Sequence, residues 1–157
     1  MLVATYPYPV NDHTAVGTLT VTGGTFVSSK QIMLGANGTG TINVRGSGAA
    51  ISCASLVLSN TVELATSSTL NFTADANGFT PIEVAGKVVN TSGTTITVDL
   101  TEAPASQNSY KLIGYTVWEG PVPACTFVGS ADSNFYLTVR RSGLYVRKLQ
   151  GSCVIIH

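Results

Sequence analysis

The first half of the chain contains one strand-like pattern twice in succession. Residues 17–37 read GTLTVTGGTFVSSKQIMLGAN, and residues 40–60 read GTINVRGSGAAISCASLVLSN. At an offset of 23 the two stretches superpose Gly17 on Gly40, Leu19 on Ile42, Val21 on Val44 and Gly23 on Gly46. One extra residue near Gly48 raises the offset to 24, which places Val27 on Ile51, Ile32 on Leu56 and Leu34 on Leu58.

Apolar residues in each repeat alternate with small polar residues. Such alternation is typical of β-strands that bury one face. A repeat of about 20 to 30 residues that contains two or three strands is typical of one coil of a solenoid. Each strand then pairs in parallel with its equivalent in the next coil, about 4.8 Å away. The sequence therefore predicts an all-β parallel β-helix.

Further strands follow the two clear repeats. A more degenerate unit places Leu70 and Phe72 inward and ends at the turn dipeptide Asn77-Gly78. Residues 81–89 and 94–100 predict two more strands, and a polar loop follows. The remainder is richer in aromatic residues and contains five of the eight Lys and Arg, a shift typical of a cap over an open solenoid end. We predict an irregular lead-in or N-terminal cap (1–16), solenoid rungs (17–101) and a C-terminal β cap and tail (102–157).

Charge and hydropathy exclude several classes of partner. Eight basic and eight acidic side chains give a formal net charge of zero, which predicts neither a nucleic-acid partner nor attraction to an anionic membrane. No stretch approaches 18 consecutive apolar residues, so no membrane insertion is expected. The first 17 residues lack the basic and apolar regions of a signal peptide.

The strand segments together resemble a known class of protein. The succession GTLTV, LGANGTGTINV, LVLSN, LNFTADANGFTPIEVAGKV, TTITVDL and YKLIGY resembles the repeats of autotransporter passenger-type proteins and related bacterial surface proteins. The resemblance spans residues 17–149 and is closest to the C-terminal part of their β-helices. It implies a right-handed parallel β-helix, extracellular or on a bacterial cell surface, used as a stalk, adhesin body or matrix component. It implies no catalytic residue and no cofactor.

Three cysteines depart from that resemblance. Their odd number and the lack of a Cys-x-x-Cys pair give little support to a zinc or redox site. Cys125 and Cys153 both fall in the predicted cap, so they are the pair we expect to form a disulfide if one exists. Cys53 is expected to be buried and reduced.

The acidic residues do not form an obvious catalytic pair. None pairs with another at i+2 on a strand, although Glu63 and Glu83 could stack across neighbouring rungs, and two carboxylates can serve in glycoside hydrolysis. Scattered solvated charges explain them more simply. We therefore predict that the chain is not an enzyme and holds no metal.

Two functions remain open. The first is a structural or adhesive module that associates with itself, or with neighbouring rungs of a longer parent chain, through a solenoid end. On this interpretation Arg140, Arg141, Arg147 and Lys148 protect the C-terminal end, and the association strand contains Thr18, Thr20, Val21 and Thr22. The alternative is a β-helix that binds or degrades polysaccharide, with a platform of exposed aromatic residues made by Tyr115, Trp118 and Tyr136, together with Phe135 and Tyr145.

Overall fold

The chain folds as a β-solenoid of about 3 turns. The structure, a computed structural model, describes residues 2–3, 15–36, 38–59, 66–91, 93–129 and 134–149. These residues form strands and connecting segments without any helix, so none of them belongs to a helix that could cross a membrane. The predicted all-β, parallel fold class is confirmed.

Fourteen strands follow one another along the described residues. The first eight are β1 (Leu2–Val3), β2 (Ala15–Val21), β3 (Gly24–Leu34), β4 (Gly38–Arg45), β5 (Ala49–Leu58), β6 (Ser67–Thr73), β7 (Ile82–Val84) and β8 (Lys87–Asn90). The remaining six are β9 (Thr95–Asp99), β10 (Ser109–Gly114), β11 (Val117–Glu119), β12 (Ala124–Val128), β13 (Phe135–Arg140) and β14 (Gly143–Lys148).

Each turn of the solenoid contributes to two sheets. The first sheet has five strands, all parallel, in the order β12-β9-β6-β4-β2. The second sheet runs β1-β3-β5-β7-β10-β14-β13, with β8 and β11 continuing the rungs of β7 and β10. In the second sheet only the pairs made by β14, with β10 and with β13, are antiparallel.

Inward side chains stack in columns that run through successive turns. One column of the five-stranded sheet contains Leu19, Ile42, Leu70, Ile96 and Cys125, and the next contains Val21, Val44, Phe72, Val98 and Phe127. The residues of the middle turns are at most 1% exposed. The predicted registers of Leu19 on Ile42 and Val21 on Val44, and the inward positions of Leu70 and Phe72, are confirmed.

One predicted register is wrong by a residue. Phe26, not Val27, pairs with Ile51, and Val27 pairs with Ser52. From Val44 to Ala49 the chain has two more residues than from Val21 to Gly24, so the offset between paired residues rises from 23 to 25. An extra residue in β3 after Ser28, a β-bulge, then lowers the offset to 24. Val27 therefore points outward, with 67% of its surface exposed, whereas the later pairs predicted for Ile32 and Leu34 are confirmed.

Outward side chains of the five-stranded sheet also form a ladder. The amide of Asn71 donates to Asn43, and the amide of Asn43 donates to Thr20, both at 2.8 Å. These side chains can bond to one another only when the strands are in the correct register. The ladder therefore stabilises the register from the outer face, and the apolar columns stabilise it from the interior.

Glycines allow the chain to turn between the two sheets. Gly35 follows β3 with a positive φ of 69°, and a side chain there would collide with the carbonyl oxygens of Ser59 and Ser67. Only glycine meets both conditions without strain. Gly35 therefore lies at a corner of the coil, after β3 of the second sheet and before β4 of the first.

The last part of the chain changes from parallel to antiparallel pairing. Parallel pairing continues past residue 101, the predicted end of the rungs, as far as Val128. The hairpin of β13 and β14 then extends the second sheet beside β10. The predicted right-handed sense and the cap function of this segment stay predictions.

Candidate interaction surfaces

The N-terminal end of the five-stranded sheet is a strand edge. Among the described residues, β2 has a strand partner on one side only, which is β4. Leu19 of β2 and Phe26 of β3 point inward but stay only partly buried, although Ile42 and Ile51 beneath them are at most 1% exposed. The end of the apolar interior is therefore partly open to solvent at this first turn.

The second sheet continues beyond β10 with buried side chains. Leu144 and Val146 of β14 are fully buried, and Phe135 of β13 packs against the core. The rings of Phe127 and Phe135 lie 6.0 Å apart, centroid to centroid, within an aromatic series that also includes Phe79 and Tyr110. The hairpin thus extends the second sheet beside β10, and one of its rings contacts Phe127 of the last parallel strand.

The four residues predicted to form an association strand lie on β2 and just after it. Thr18, Thr20 and Thr22 are exposed, and Thr18 and Thr20 are on the outer face. Val21 is 8% exposed and points into the core, so it belongs to the interior column rather than to an accessible surface. A lysine at position 21 would therefore disturb folding as well as the edge.

The three aromatic residues predicted as a sugar platform differ in burial. Tyr115 is 7% exposed, and its hydroxyl donates to the carbonyl of Arg140 at 3.0 Å. The pKa of Tyr115 is raised, mainly because the side chain is buried. Trp118 packs on Tyr115 at 5.5 Å and donates its Nε1 proton to Gly120, whereas Tyr136 lies on β13, exposed. Tyr115 is buried, so it cannot offer its ring to a ligand, and the sugar platform stays a prediction for Trp118 and Tyr136.

Two of the three cysteines, Cys53 and Cys125, lie in the described part of the chain, and they do not bond to each other. Cys53 is 4% exposed, and burial raises its pKa to about 11. Cys125 stands at the end of an interior column, and burial raises its pKa to about 12. Cys153 lies outside the described residues, so the disulfide with Cys125 stays a prediction, as does the reduced state of Cys53.

Four of the acidic side chains have clear partners. Glu83 forms an ion pair with Lys111 at 3.2 Å and Glu119 pairs with Lys87 at 3.1 Å. Asp75 and Asp99 accept hydrogen bonds within turns, and these bonds lower the pKa of both carboxyls. Glu63, the suggested partner of Glu83, lies outside the described residues.

No cluster of three potential metal ligands occurs in the part of the chain that the structure describes.

The basic residues expected to protect the C-terminal end have different positions. Arg140 lies on β13, the edge strand, and Arg141 lies in the hairpin turn. Arg147 lies on β14, which pairs on both sides, so it cannot protect an edge. The sequence analysis did not identify the surface that Arg140 and Arg147 share with two tyrosines. Alternation in FYLTVR and GLYVRK places Tyr136, Arg140, Tyr145 and Arg147 on the outer face of the hairpin.

Comparison of the chain with protein-family models, with curated proteins and with solved structures found no match. The β-solenoid of the structure agrees with the resemblance to autotransporter passenger-type repeats, but no comparison assigns the chain to a family.

Proposed function

We propose that this chain is a non-catalytic structural or adhesive β-solenoid module that binds a second copy of itself through its N-terminal end. The observation that supports the proposal is the unequal burial of the interior at the first turn. Leu19 and Phe26 are partly buried there, whereas their neighbours in the next turn, Ile42 and Ile51, are fully buried. Apolar surface at a strand edge is a common site of strand pairing between chains.

A twofold arrangement suits this edge. If β2 pairs antiparallel with β2 of the second copy, each copy presents the same surface, and association stops at a dimer. The Leu19 side chains then face the partner's interior column and lose their remaining contact with water. Head-to-tail stacking of whole coils fits less well. β12, the far edge of the five-stranded sheet, also has one partner among the described strands, but the second sheet continues past β10 into the hairpin of β13 and β14.

The proposed cellular location of the module rests on the resemblance of its repeats. Their resemblance to autotransporter passenger-type sequences supports an extracellular or cell-surface location in bacteria and a right-handed coil. A low-charge solenoid with regular outer ladders suits a stalk or adhesin body, because each turn is stabilised by its neighbours. The ion pairs and turn contacts of Asp75, Glu83, Asp99 and Glu119 favour a structural use of these carboxylates over catalysis.

Sedimentation velocity over a range of protein concentrations tests the proposal. We expect a dimer in the parent protein and a monomer in Leu19→Lys, because the charged side chain points towards the partner. Thr69→Lys is the matched control, since Thr69 lies on the outer face of the central strand β6 and adds the same charge away from the edge.

Folding of the test variant needs its own check. Circular dichroism reports whether Leu19→Lys remains folded, and Val16→Lys gives a second test at a position that is 75% exposed on β2. Equal self-association of the parent protein and both β2 variants would contradict the dimer. Turnover of a polysaccharide that active-site substitutions abolish would contradict the non-catalytic assignment.

A further inference from the structure

We propose that the outer face of the C-terminal strands binds an acidic polysaccharide whose sugar units carry carboxylates. The basic face, as we name it, consists of Ser109, Lys111, Tyr136, Thr138, Arg140, Tyr145 and Arg147. Backbone pairing arranges it in rows across three strands: Ser109 beside Arg147 beside Tyr136, and Lys111 beside Tyr145 beside Thr138. This site is separate from the β2 edge and does not depend on the proposed dimer.

Two concave regions share the centre of the basic face. One, of about 280 Å³, is lined by Ser109, Arg140, Ser142, Tyr145 and Arg147. The other, of about 360 Å³, is lined by Asn108, Ser109, Tyr136, Arg147, Lys148 and Leu149. Because Ser109 and Arg147 belong to both, the two regions adjoin, and one extended ligand can occupy them together. Each region contains a tyrosine and at least one guanidinium or ammonium group.

The charge of this face is unbalanced although the whole chain is neutral. The ammonium group of Lys111 pairs with Glu83. The guanidinium groups of Arg140 and Arg147, in contrast, form no ion pair with any described residue, and both side chains are exposed. Strands β10, β13 and β14 carry no carboxylate of their own. The uncompensated charge therefore favours an anionic ligand.

The combination of side chains favours sugar acids over other anions. A guanidinium can bind a carboxylate through two parallel hydrogen bonds, and a tyrosine ring offers an apolar face with a polar tip. Ser142 and Tyr145 place two hydroxyl groups 3.2 Å apart at one end of the face, where they can bond to sugar hydroxyls.

The extent of the two concave regions indicates a chain ligand. Along β13, Tyr136 and Arg140 are four residues apart, and Tyr136 pairs with Arg147. The backbone positions of the two arginines are therefore separated by about 13 Å along the strands. Arg140 and Arg147 line one region, and Arg147, Tyr136 and Lys148 line the other, so an oligomer with a carboxylate on each unit can contact both regions at once.

Isothermal titration calorimetry at low salt with an oligogalacturonate tests the site. We expect saturable binding that Arg147→Gln weakens by about tenfold, the size expected when a charged hydrogen-bonding partner is lost. Arg45→Gln is the matched control, because Arg45 is exposed on the five-stranded sheet and its loss should change affinity less than about twofold. A neutral gluco-oligosaccharide of equal length should not bind.

Several outcomes would overturn the proposal. The first is an equal loss of oligogalacturonate affinity in Arg147→Gln and Arg45→Gln. The second is that the neutral oligosaccharide binds as tightly as the oligogalacturonate. The third is that a single-stranded DNA oligonucleotide of the same charge binds more tightly than the oligogalacturonate. Thermal unfolding checks that Arg147→Gln remains folded, and Arg140→Gln repeats the test at the far end of the face. Because the β2 edge is not involved, the Leu19→Lys variant should bind the oligogalacturonate unchanged.

Discussion

Gly40 lies on the inner face of β4, against the segment that leaves β3. A Cβ atom at this position would stand 2.5 Å from the amide nitrogen of Gly35 and 2.8 Å from Cδ1 of Leu34. Both neighbours are buried, so neither can move away freely. Gly40→Ala should therefore destabilise the fold by about 1–3 kcal/mol through overpacking.

Gly48 provides the control for this substitution. A Cβ atom there would meet nothing within 4 Å, and the residue lies in an exposed turn. We expect Gly48→Ala to change the free energy of unfolding by less than about 0.5 kcal/mol. Urea unfolding of the two variants measures the difference, and equal losses of stability would contradict the close approach at Gly40.

The buried thiol of Cys53 makes stability depend on alkaline pH. Its pKa is about 11 in the folded state against an ordinary value of 9.0. Between these values the folded state retains a proton that the unfolded state has lost, so the free energy of unfolding falls as pH rises from about 9 to about 11. Below pH 9 the thiol is neutral in both states and has no effect.

Cys53→Ala tests this linkage. The variant should lose less stability than the parent protein between pH 9 and pH 11, measured by urea unfolding at several pH values. Cys125→Ala should behave in the same way, because the pKa of Cys125 is also raised by burial. Identical pH dependence in the parent protein and both variants would show that the thiols ionise normally in the folded chain.

At the scale of elements, turns connect neighbouring coils as well as successive strands. Asp75 accepts hydrogen bonds from the amide of Ser47 at 2.8 Å and from its hydroxyl at 2.9 Å, so it links the turn after β6 to the turn after β4. It also accepts from the amide of Asn77 at 2.7 Å. Within the described part of the chain, Asp99 accepts from the amide and the hydroxyl of Thr101, two residues further on.

Asp75→Asn should therefore lower the melting temperature more than Asp99→Asn. Both substitutions remove a carboxylate with a lowered pKa, but only the first weakens a contact between coils. Because both carboxylates stabilise the fold when ionised, the advantage of the parent protein over either variant should disappear as pH falls through the lowered pKa. Thermal unfolding at pH 7 and at pH 2.5 provides the measurement, and an equal effect of both variants at pH 7 would argue against the link between coils.

The sequence predicted the register of some strands correctly, but it did not predict the changes in register that turns and bulges introduce. The registers of Leu19 and Val21 followed from alternation, because a shift of one residue would have exposed the whole apolar face. The register of Phe26 did not follow, because the bulge after Ser28 and the longer turn before Ala49 changed the offset without any sign in the apolar pattern. Insertions in turns cost little, so a repeat can vary there without losing its core.

The candidate sites were harder to predict for a related reason. Alternation shows which residues share a face, but not which strands become neighbours. Tyr136 and Arg147 meet Ser109 only because the hairpin returns beside β10. Tyr115, which the alternative sugar platform would place at the surface, is buried, and its hydroxyl donates to the carbonyl of Arg140. Contacts of this kind depend on tertiary pairing that no local pattern contains.

At the scale of the whole molecule, the second sheet ends in the antiparallel hairpin of β13 and β14, and the interior of the first turn is only partly buried. In such a fold each turn is stabilised by its neighbours, so an end turn with one neighbour is the weakest part. A partner that covers β2 would supply the missing neighbour and stabilise the complete chain.

The proposed dimer therefore predicts a melting temperature that rises with protein concentration. Association stabilises the folded state by mass action, so the shift should continue until the dimer is fully formed. The same series with Leu19→Lys should give a melting temperature independent of concentration, because the lysine at the partly buried edge prevents pairing. Thr69→Lys should retain the concentration dependence of the parent protein. A parent protein whose melting temperature stays constant over a hundredfold range of concentration would argue against a dimer at the N-terminal end, and the Leu19 column would then be only the frayed edge of a monomeric coil.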